Sequence, residues 1–267
     1  KLNADDDQGN FDYERYWEQS LAAGVSARLI MKNVTNKNSD EIFVSGLLQN
    51  IGELFLARCF PQKYEKVQNT VQEEGLSLIE AEHRVFGTDH SFIGGEVTKA
   101  WGFPAVLTEC ISYHHNAEGY TGTNKEIIRN INVVYLSGVL SNIFYTAEPQ
   151  KYLDEFKLKA TELLNLNTEV IDTILDMVNT EVEQAAQFFG IKLEFTKSIT
   201  EILQEANKEL SQLNMSYDQM NRELRETKEQ LQKLTMELQE KNKMLENLAN
   251  MDGLTQVHNH RYFQMFV

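Results

Sequence analysis

Three histidines and one aspartate form a group of residues whose types could support ligand binding. Asp89 directly precedes His90, and the adjacent pair His114 and His115 follows later in the chain. Histidine titrates near neutral pH and is a common metal ligand, so the four could form a pocket for an anion, a nucleotide or a metal ion. The simpler interpretation is structural. Asp89 can cap a helix starting near His90, and the pair lies at a helix C-terminus, where imidazolium is favoured. We favour the structural interpretation and keep the pocket as the alternative.

The elements that carry these residues are predicted to be helices. Apolar residues recur at helical spacing, and the three prolines, Pro61, Pro104 and Pro149, stand only at the ends of such segments. Asn38 with Glu41 resembles a capping box, and Gly190 is placed to end the last helix. The apolar run 131–136 could instead be a buried strand, since short runs are ambiguous. The predicted fold class is all-α, with helices over 11–33, 40–58, 62–74, 77–87, 90–101, 104–115, 124–146, 150–164 and 168–189.

The composition changes after residue 190, where a heptad repeat begins. Apolar residues recur every seven positions in two series offset by three, which is the pattern of a coiled coil. We expect a homodimer with parallel helices, and another protein as partner is the alternative. Polar residues such as Thr227 and Lys241 interrupt the seam, which favours a helix that switches between two packings. The predicted dimer seam consists of Leu203, Leu210, Leu213, Tyr217, Met220, Leu224, Leu231, Leu234, Leu238, Leu245 and Leu248.

Several segments before residue 145 resemble one family. Residues 46–54 (GLLQNIGEL) are similar to the GLLHDIGKL segment of HD-superfamily proteins. Residues 86–95 (FGTDHSFIGG), 101–104 (WGFP) and 111–115 (ISYHH) resemble the HDOD branch, as does the opening helix 11–20. The resemblance implies an all-helical, HD-like regulatory module of bacterial signalling. The usual N-terminal part of that domain is expected to be missing from this chain.

The departures from the HD pattern concern its metal ligands. HD phosphohydrolases hold divalent metal with two histidines and two aspartates, and the aligned positions here are Gln19, Gln49, Asn50 and Gly138. Neutral amides are weak ligands and glycine offers none, so the resemblance implies a degenerate site without a metal or other cofactor. We therefore expect no catalytic residues and no enzymatic activity from this chain.

A second resemblance lies at the end of the chain. Residues 248–263 resemble the opening of GGDEF domains, with Asp252, Leu254, Thr255, Asn259 and other positions on pattern. The segment is too short to contain the cyclase signature, which would lie past residue 267. The expected organisation is an HDOD domain over 1–190, a coiled-coil linker over 191–250 and the start of a truncated GGDEF domain over 251–267. We expect Asp252 to cap the helix that follows it.

Composition excludes several classes of protein. The net charge of −15, with no basic stripe, argues against nucleic-acid binding. No membrane span is expected, since no apolar stretch is long enough. The acidic start 1–7 is unlike a signal peptide. Cys59 and Cys110 are predicted to be reduced, buried thiols. We expect a cytoplasmic protein.

Three functional hypotheses follow. In the preferred one, a non-catalytic module dimerises and regulates a GGDEF diguanylate cyclase in cyclic di-GMP signalling, under an upstream signalling domain or protein. The alternative is a metal-dependent HD phosphohydrolase with a rearranged site at His90, His114 and His115. The third is an interaction scaffold whose cyclase domain is itself degenerate.

Overall fold

The computed structural model describes residues 11–35, 40–193, 197–253 and 255–264, and divides the chain into two units, Lys1–Ala206 and Asn207–Val267. The regular elements of these described residues are helices, together with one isolated bridge between Met251 and His258. The helices are α1 (Tyr13–Val34), α2 (Asp40–Leu48), α3 (Ile51–Cys59), α4 (Pro61–Glu74), α5 (Leu78–Phe86), α6 (His90–Ala100), α7 (Ala105–Tyr113), α8 (Lys125–Asn142), α9 (Pro149–Leu164), α10 (Thr168–Phe189), α11 (Ile199–Asn250) and α12 (His260–Phe263). The all-α fold class is confirmed.

Residues that begin, cap or end helices stand at the observed helix ends. Pro61 and Pro149 begin α4 and α9, and Gly190 ends α10 in the left-handed conformation, as predicted. Asp89 is the N-cap of α6, where its carboxylate accepts a hydrogen bond from the Phe92 amide. A capping box formed by Ser77 and Glu80 starts α5. The predicted box at Asn38 lies outside the described residues.

The core of the first unit forms around α1. This helix packs against α2, α8 and α10, and α9 covers another side of α8. Side chains such as Ile30, Leu136 and Val178 are completely buried among them. A second group of contacts joins α3 to α6 and α6 to α7, which places the start of α6 between two neighbouring helices.

The fold corrects two expectations and decides one alternative. The single helix predicted over 40–58 is two helices, because a turn at Gln49 and Asn50 separates α2 from α3. The run 131–136, for which a strand was the alternative, lies inside α8. Cys59 is exposed, whereas Cys110 is buried as expected. Cys59 is the last residue of α3, at a helix end that the core does not cover.

The stretch Asp40–Cys59 is long and apolar enough, by length and composition alone, to cross a membrane, which the sequence analysis did not anticipate. Core helices of soluble proteins satisfy the same criterion. In this chain, 39% of the apolar window is buried inside the protein. The observation therefore gives only weak support to a membrane span.

The first turns of α11 belong to the first unit. Ile199 is buried there, and Ile202 and Leu203 pack against the same core. Leu203 was predicted to open the dimer seam, and in this structure it contacts the helical core of its own chain.

The second unit contains the rest of α11 and a short turn. The carboxylate of Asp252 accepts hydrogen bonds from the amide and the hydroxyl of Thr255. The helix α12 that follows is capped by Asn259, whose side chain accepts from the Tyr262 amide. The prediction that Asp252 caps the next helix is therefore wrong, because Asp252 closes the turn before it. Leu254 lies outside the described residues.

Candidate functional site

One cavity of the first unit brings together positions that are far apart in sequence. It has a volume of about 540 Å³. Its walls include residues of α1, α3, α4, α5, α6, α8 and α9, of the turn between α2 and α3, and of the segment after α7. All four positions aligned with HD metal ligands line it, namely Gln19, Gln49, Asn50 and Gly138. His90, His114 and His115 line the same cavity.

Three of the four aligned positions, Gln19, Gln49 and Asn50, carry amide side chains, and the fourth is Gly138. Gln49 is buried, and its side-chain oxygen has no hydrogen-bond partner among the described residues. A Cβ atom built on Gly138 would lie 3.5 Å from the Gln49 amide, so these two positions face each other. Positions that descend from one ancestral metal site are expected to line the same cavity, as these four do. That they descend from a lost metal site stays a prediction.

The three histidine rings meet at one point of the cavity wall. The Nε2 atom of His90 lies 3.3 Å from Nε2 of His114 and 2.9 Å from Nε2 of His115. One ring nitrogen from each of the three lies within 4.8 Å of the other two. His90 and His114 are buried, while His115 is more exposed as a residue. The structure thus forms a compact cluster of three imidazoles, which we call the histidine cluster.

Two of these rings are oriented by hydrogen bonds on their other nitrogen. The Nδ1 atom of His90 lies 2.7 Å from a carboxylate oxygen of Glu82, and Nδ1 of His114 lies 2.7 Å from the backbone oxygen of Ile111. An acceptor at Nδ1 places the proton there and leaves Nε2 with a lone pair when the ring is neutral. Both Nε2 atoms therefore face the centre of the cluster.

The pKa values of the histidines differ because their surroundings differ. Burial lowers the pKa of His90, but the charge and hydrogen bond of Glu82 outweigh it, so the net shift is upward. Burial, followed by the neighbouring His115 and His90, holds the pKa of His114 well below its usual value. Although His115 is exposed as a residue, the burial of its ring against the cluster, together with His90, lowers the pKa of His115 to about 3. Imidazolium is therefore disfavoured at His114 and His115, contrary to the prediction for a helix C-terminus.

Glycines allow the helices to approach closely enough for the cluster to form. A Cβ atom on Gly52 would lie 2.0 Å from the backbone oxygen of His90, so α3 touches the first turn of α6. A Cβ atom on Gly94 would lie 2.8 Å from Ile111, and one on Gly95 would lie 2.0 Å from the Ser112 hydroxyl. Because α6 contacts α3 and α7 at glycines, His90 reaches the histidine pair that follows α7.

Comparison with known proteins identifies this helical region. Residues 1–117 match the family model described as the HDOD domain. The HDOD domain that the sequence predicts over 1–190 is supported over residues 1–117, which make up less than half of the chain. The match includes α1 to α7 and the histidine cluster.

Two crystal structures and one curated sequence resemble the chain. An HDOD domain protein with unknown function from Geobacter sulfurreducens has a TM-score of 0.54 at 21% identity, covering 67% of this chain and 64% of that one. A protein provisionally described as a phosphohydrolase, from Shewanella amazonensis SB2B, has a TM-score of 0.53 at 16% identity, covering 67% of this chain and 65% of that one. At these identities the two structures show that the fold is shared.

The curated relative is an uncharacterized protein of Treponema pallidum (strain Nichols), which is 20% identical over 173 residues. The alignment covers 62% of this chain and 33% of the relative. The chain therefore spans about one third of that relative and slightly less than two thirds of each crystal structure.

Within the HDOD domain, Asp89 has a role apart from the histidine cluster. Its carboxylate caps α6 and lies 3.0 Å from Nε2 of His83, which is an exposed residue outside the cluster. Of the four residues proposed for a pocket, the structure brings three histidines together and places Asp89 at the helix start beside them.

Sequence reasoning missed Glu82, the buried partner of His90. Its signal was a carboxylate on the inner face of α5, four residues after Leu78 and four before Phe86. It also missed Glu53, which lines the cavity and accepts a hydrogen bond of 2.8 Å from the Tyr64 hydroxyl. Burial raises the pKa of Glu53, despite the opposing influence of His90.

The predicted dimer seam lies on one long helix. Helix α11 contains 52 residues, which corresponds to a length of about 78 Å. The seam residues after residue 206 are each more than half exposed, namely Leu210, Leu213, Tyr217, Met220, Leu224, Leu231, Leu234, Leu238, Leu245 and Leu248. In the single chain, this stripe has no covering layer among the described residues.

Proposed function

We propose that this chain is a non-catalytic regulatory module of bacterial signalling. In this proposal the HDOD domain receives an upstream signal in the cytoplasm, and a dimeric α11 passes it to a GGDEF diguanylate cyclase. The observation that supports it most is the exposed apolar stripe of α11, which lies in sequence between an HDOD domain and a turn that resembles the start of a GGDEF domain.

The stripe favours dimerisation because of the apolar area that it leaves in water. Burying one leucine side chain stabilises a protein by about 1.5–3 kcal/mol, and ten seam residues are exposed here. A second copy of the chain offers the same stripe in a complementary register, and symmetric homodimers are the commonest assemblies. Parallel helices would bring both C-terminal segments to the same end, where two cyclase domains could face each other.

Polar residues in the seam support a switching role. Thr227 and Lys241 occupy core positions, and the Thr227 hydroxyl donates to the Glu223 backbone oxygen instead of joining an apolar contact. Such positions weaken one packing relative to another, and helix interfaces have discrete alternative packings. A change in the HDOD domain could then alter the register or rotation of α11.

The dimer is tested by the double variant Leu224→Asn plus Leu231→Asn. We expect a dimer for the parent chain and a monomer for the variant in multi-angle light scattering, because each buried polar group costs about 1–3 kcal/mol. The matched control is Met215→Asn plus Met236→Asn, since both methionines are exposed on α11 outside the seam. A double leucine variant that stays dimeric would place the interface elsewhere.

The regulatory part is tested on the chain together with the natural sequence that follows Val267. We expect this protein to convert GTP to cyclic di-GMP, and we expect the double leucine variant to lose most of the activity. A dimer with no cyclase activity would support the scaffold hypothesis. A cyclase unaffected by the variant would overturn the proposed control by α11.

A second candidate function is phosphohydrolase activity. The observation that favours it is the histidine cluster, whose Nε2 atoms are separated by 2.9 and 3.3 Å at a cavity wall. His90, His114 and His115 would hold the metal ion, which would supply an activated water for phosphoester hydrolysis. Phosphate release from a panel of phosphoesters, lost in His115→Ala, would support this candidate over the non-catalytic one.

A further inference from the structure

We propose that the cavity of the first unit binds a small organic amine, with Glu155 as the partner of its ammonium group and the unpaired side-chain oxygen of Gln49 as a second acceptor. The proposal goes beyond the regulatory function above and does not depend on it. It requires no metal ion.

The carboxylates of the cavity wall favour a positively charged ligand. Glu53 and Glu155 line the cavity, whereas no lysine or arginine lines it among the described residues. A phosphate or carboxylate ligand would lose its water there without gaining a lysine or arginine partner. An ammonium group would instead form charge-assisted hydrogen bonds with a carboxylate. This composition argues against the anion that the sequence left open as a ligand.

Positive charges close to the cavity already have partners. Arg15 is exposed and donates to the backbone oxygen of Tyr145. His90, whose pKa is raised, lies 2.7 Å from the buried carboxylate of Glu82, which balances its charge. The cavity is therefore a better environment for an added cation than for an added anion.

Hydrogen-bond acceptors lie along one face of α8. Tyr135 and Gly138 are three positions apart on this helix, so they share that face. Gln49 faces Gly138, and its buried side-chain oxygen has no hydrogen-bond partner among the described residues. The Tyr135 hydroxyl donates to the Glu155 carboxylate at 2.7 Å. An ammonium group offers three donors and no acceptor, which suits a wall of this kind.

Apolar side chains of the same cavity provide a place for the carbon body of the amine. Val71 of α4, Leu78 and Ile79 of α5 and Val139 of α8 line it. The volume of about 540 Å³ lies within the range of roughly 300–1,000 Å³ that is typical of small-molecule sites. An amine with a short aromatic or aliphatic body therefore matches both the polar and the apolar parts of the wall.

Binding of three matched probes to the full chain is the test. The probes are 2-phenylethylamine, 2-phenylethanol and phenylacetate, which share a phenyl ring on a short chain and differ in the charge of the end group. At neutral pH we expect the amine to bind with a Kd of about 1 mM or lower, which is typical of ligands of this size. We expect the alcohol to bind about 10-fold more weakly and the acid to show no saturable binding. Ligand-observed NMR measures all three.

A charge-removing variant locates the site. Glu155→Gln keeps the size of the side chain and an acceptor for the Tyr135 hydroxyl, so circular dichroism should show an unchanged fold. We expect its affinity for 2-phenylethylamine to fall by about 10-fold or more, because a charge-assisted hydrogen bond becomes a neutral one. Its affinity for 2-phenylethanol should change much less. The matched control is Glu169→Gln, which alters an exposed carboxylate in the first turn of α10 and should leave binding unchanged.

Three results would overturn the proposal. The first is a parent chain that shows no saturable binding of 2-phenylethylamine up to about 20 mM, a weak limit even for a ligand of this size. The second is tighter binding of phenylacetate than of the amine. The third is a folded Glu155→Gln variant with the affinity of the parent chain, which would place the amine elsewhere. None of these measurements uses the α11 dimer or cyclase activity, so this proposal and the regulatory function can fail separately.

Discussion

The Nδ1 atom of His90 lies 2.7 Å from a carboxylate oxygen of Glu82, and both side chains are buried. The same oxygen accepts a hydrogen bond of 2.9 Å from the backbone amide of His90. That amide is at the first position of α6, where no intrahelical partner exists. One carboxylate therefore fixes the start of the helix and the orientation of the ring that it presents to the cluster.

In the second candidate function the histidine cluster holds a metal ion, and replacing Glu82 by glutamine should then weaken binding of that ion without removing a ligand. The amide keeps one acceptor but loses the charge, so we expect Zn²⁺ affinity to fall by about 10–100-fold. We also expect the free energy of unfolding to fall by about 1–3 kcal/mol, since a buried charge-assisted hydrogen bond is lost. Calorimetry and urea unfolding measure the two effects.

The matched control for this variant is Glu73→Gln, which changes an exposed carboxylate on α4 in the same unit. This variant should change neither the Zn²⁺ affinity nor the free energy of unfolding measurably. If Glu82→Gln lowered stability but left metal affinity unchanged, Glu82 would have a structural role only.

Gly52→Ala should be strongly destabilising. The added methyl group would overlap the backbone oxygen of His90 at 2.0 Å, and backbone cannot move aside as a side chain can. We expect the free energy of unfolding to fall by about 3 kcal/mol or more, measured by urea unfolding. Gly138→Ala is the contrasting variant, because its methyl group meets Gln49 at an ordinary 3.5 Å and alanine favours a helix by about 1 kcal/mol. Equal effects of the two would contradict this packing.

Leu203→Ala and Leu224→Ala should separate folding from dimerisation. Leu203 is partly buried against the core of the first unit, so its truncation should lower the unfolding free energy of that unit by about 1–2 kcal/mol. Leu224 is exposed in the single chain, so its truncation should instead weaken the dimer, by about 2–4 kcal/mol for the two chains together. Urea unfolding and dilution in analytical ultracentrifugation distinguish them, and a reversed pattern would contradict the assignment.

The two thiols should differ in reactivity. Cys59 is exposed, whereas Cys110 is buried and burial raises its pKa to about 12. At pH 8 a thiol reagent should therefore titrate one cysteine per folded chain rapidly, and the second only after denaturation. Cys59→Ala should remove the rapid phase. A rapid reaction that persisted in this variant would show that the region around Cys110 opens readily.

The helices were predictable because their signals are local. Apolar spacing, prolines at helix starts and Gly190 at a helix end act within one or two turns, and the observed bounds of α4 to α10 follow them closely. The division at Gln49 and Asn50 was missed, since the apolar pattern continues across it. The heptads predicted the long helix α11, but dimerisation depends on a second chain and stays a prediction.

The helical class, the HDOD resemblance and the candidate site residues could all be predicted from the sequence, because each depends on residue types at short spacing. Which of these candidates lie in contact depends on how the helices pack. Glycine contacts between α3, α6 and α7 bring three histidines within hydrogen-bonding distance, while Asp89 is retained as a cap. Glu82 could not be recognised from the sequence, because its carboxylate on α5 meets His90 at the start of α6 only in the folded chain. The properties of a buried carboxylate depend on the groups that surround it in space.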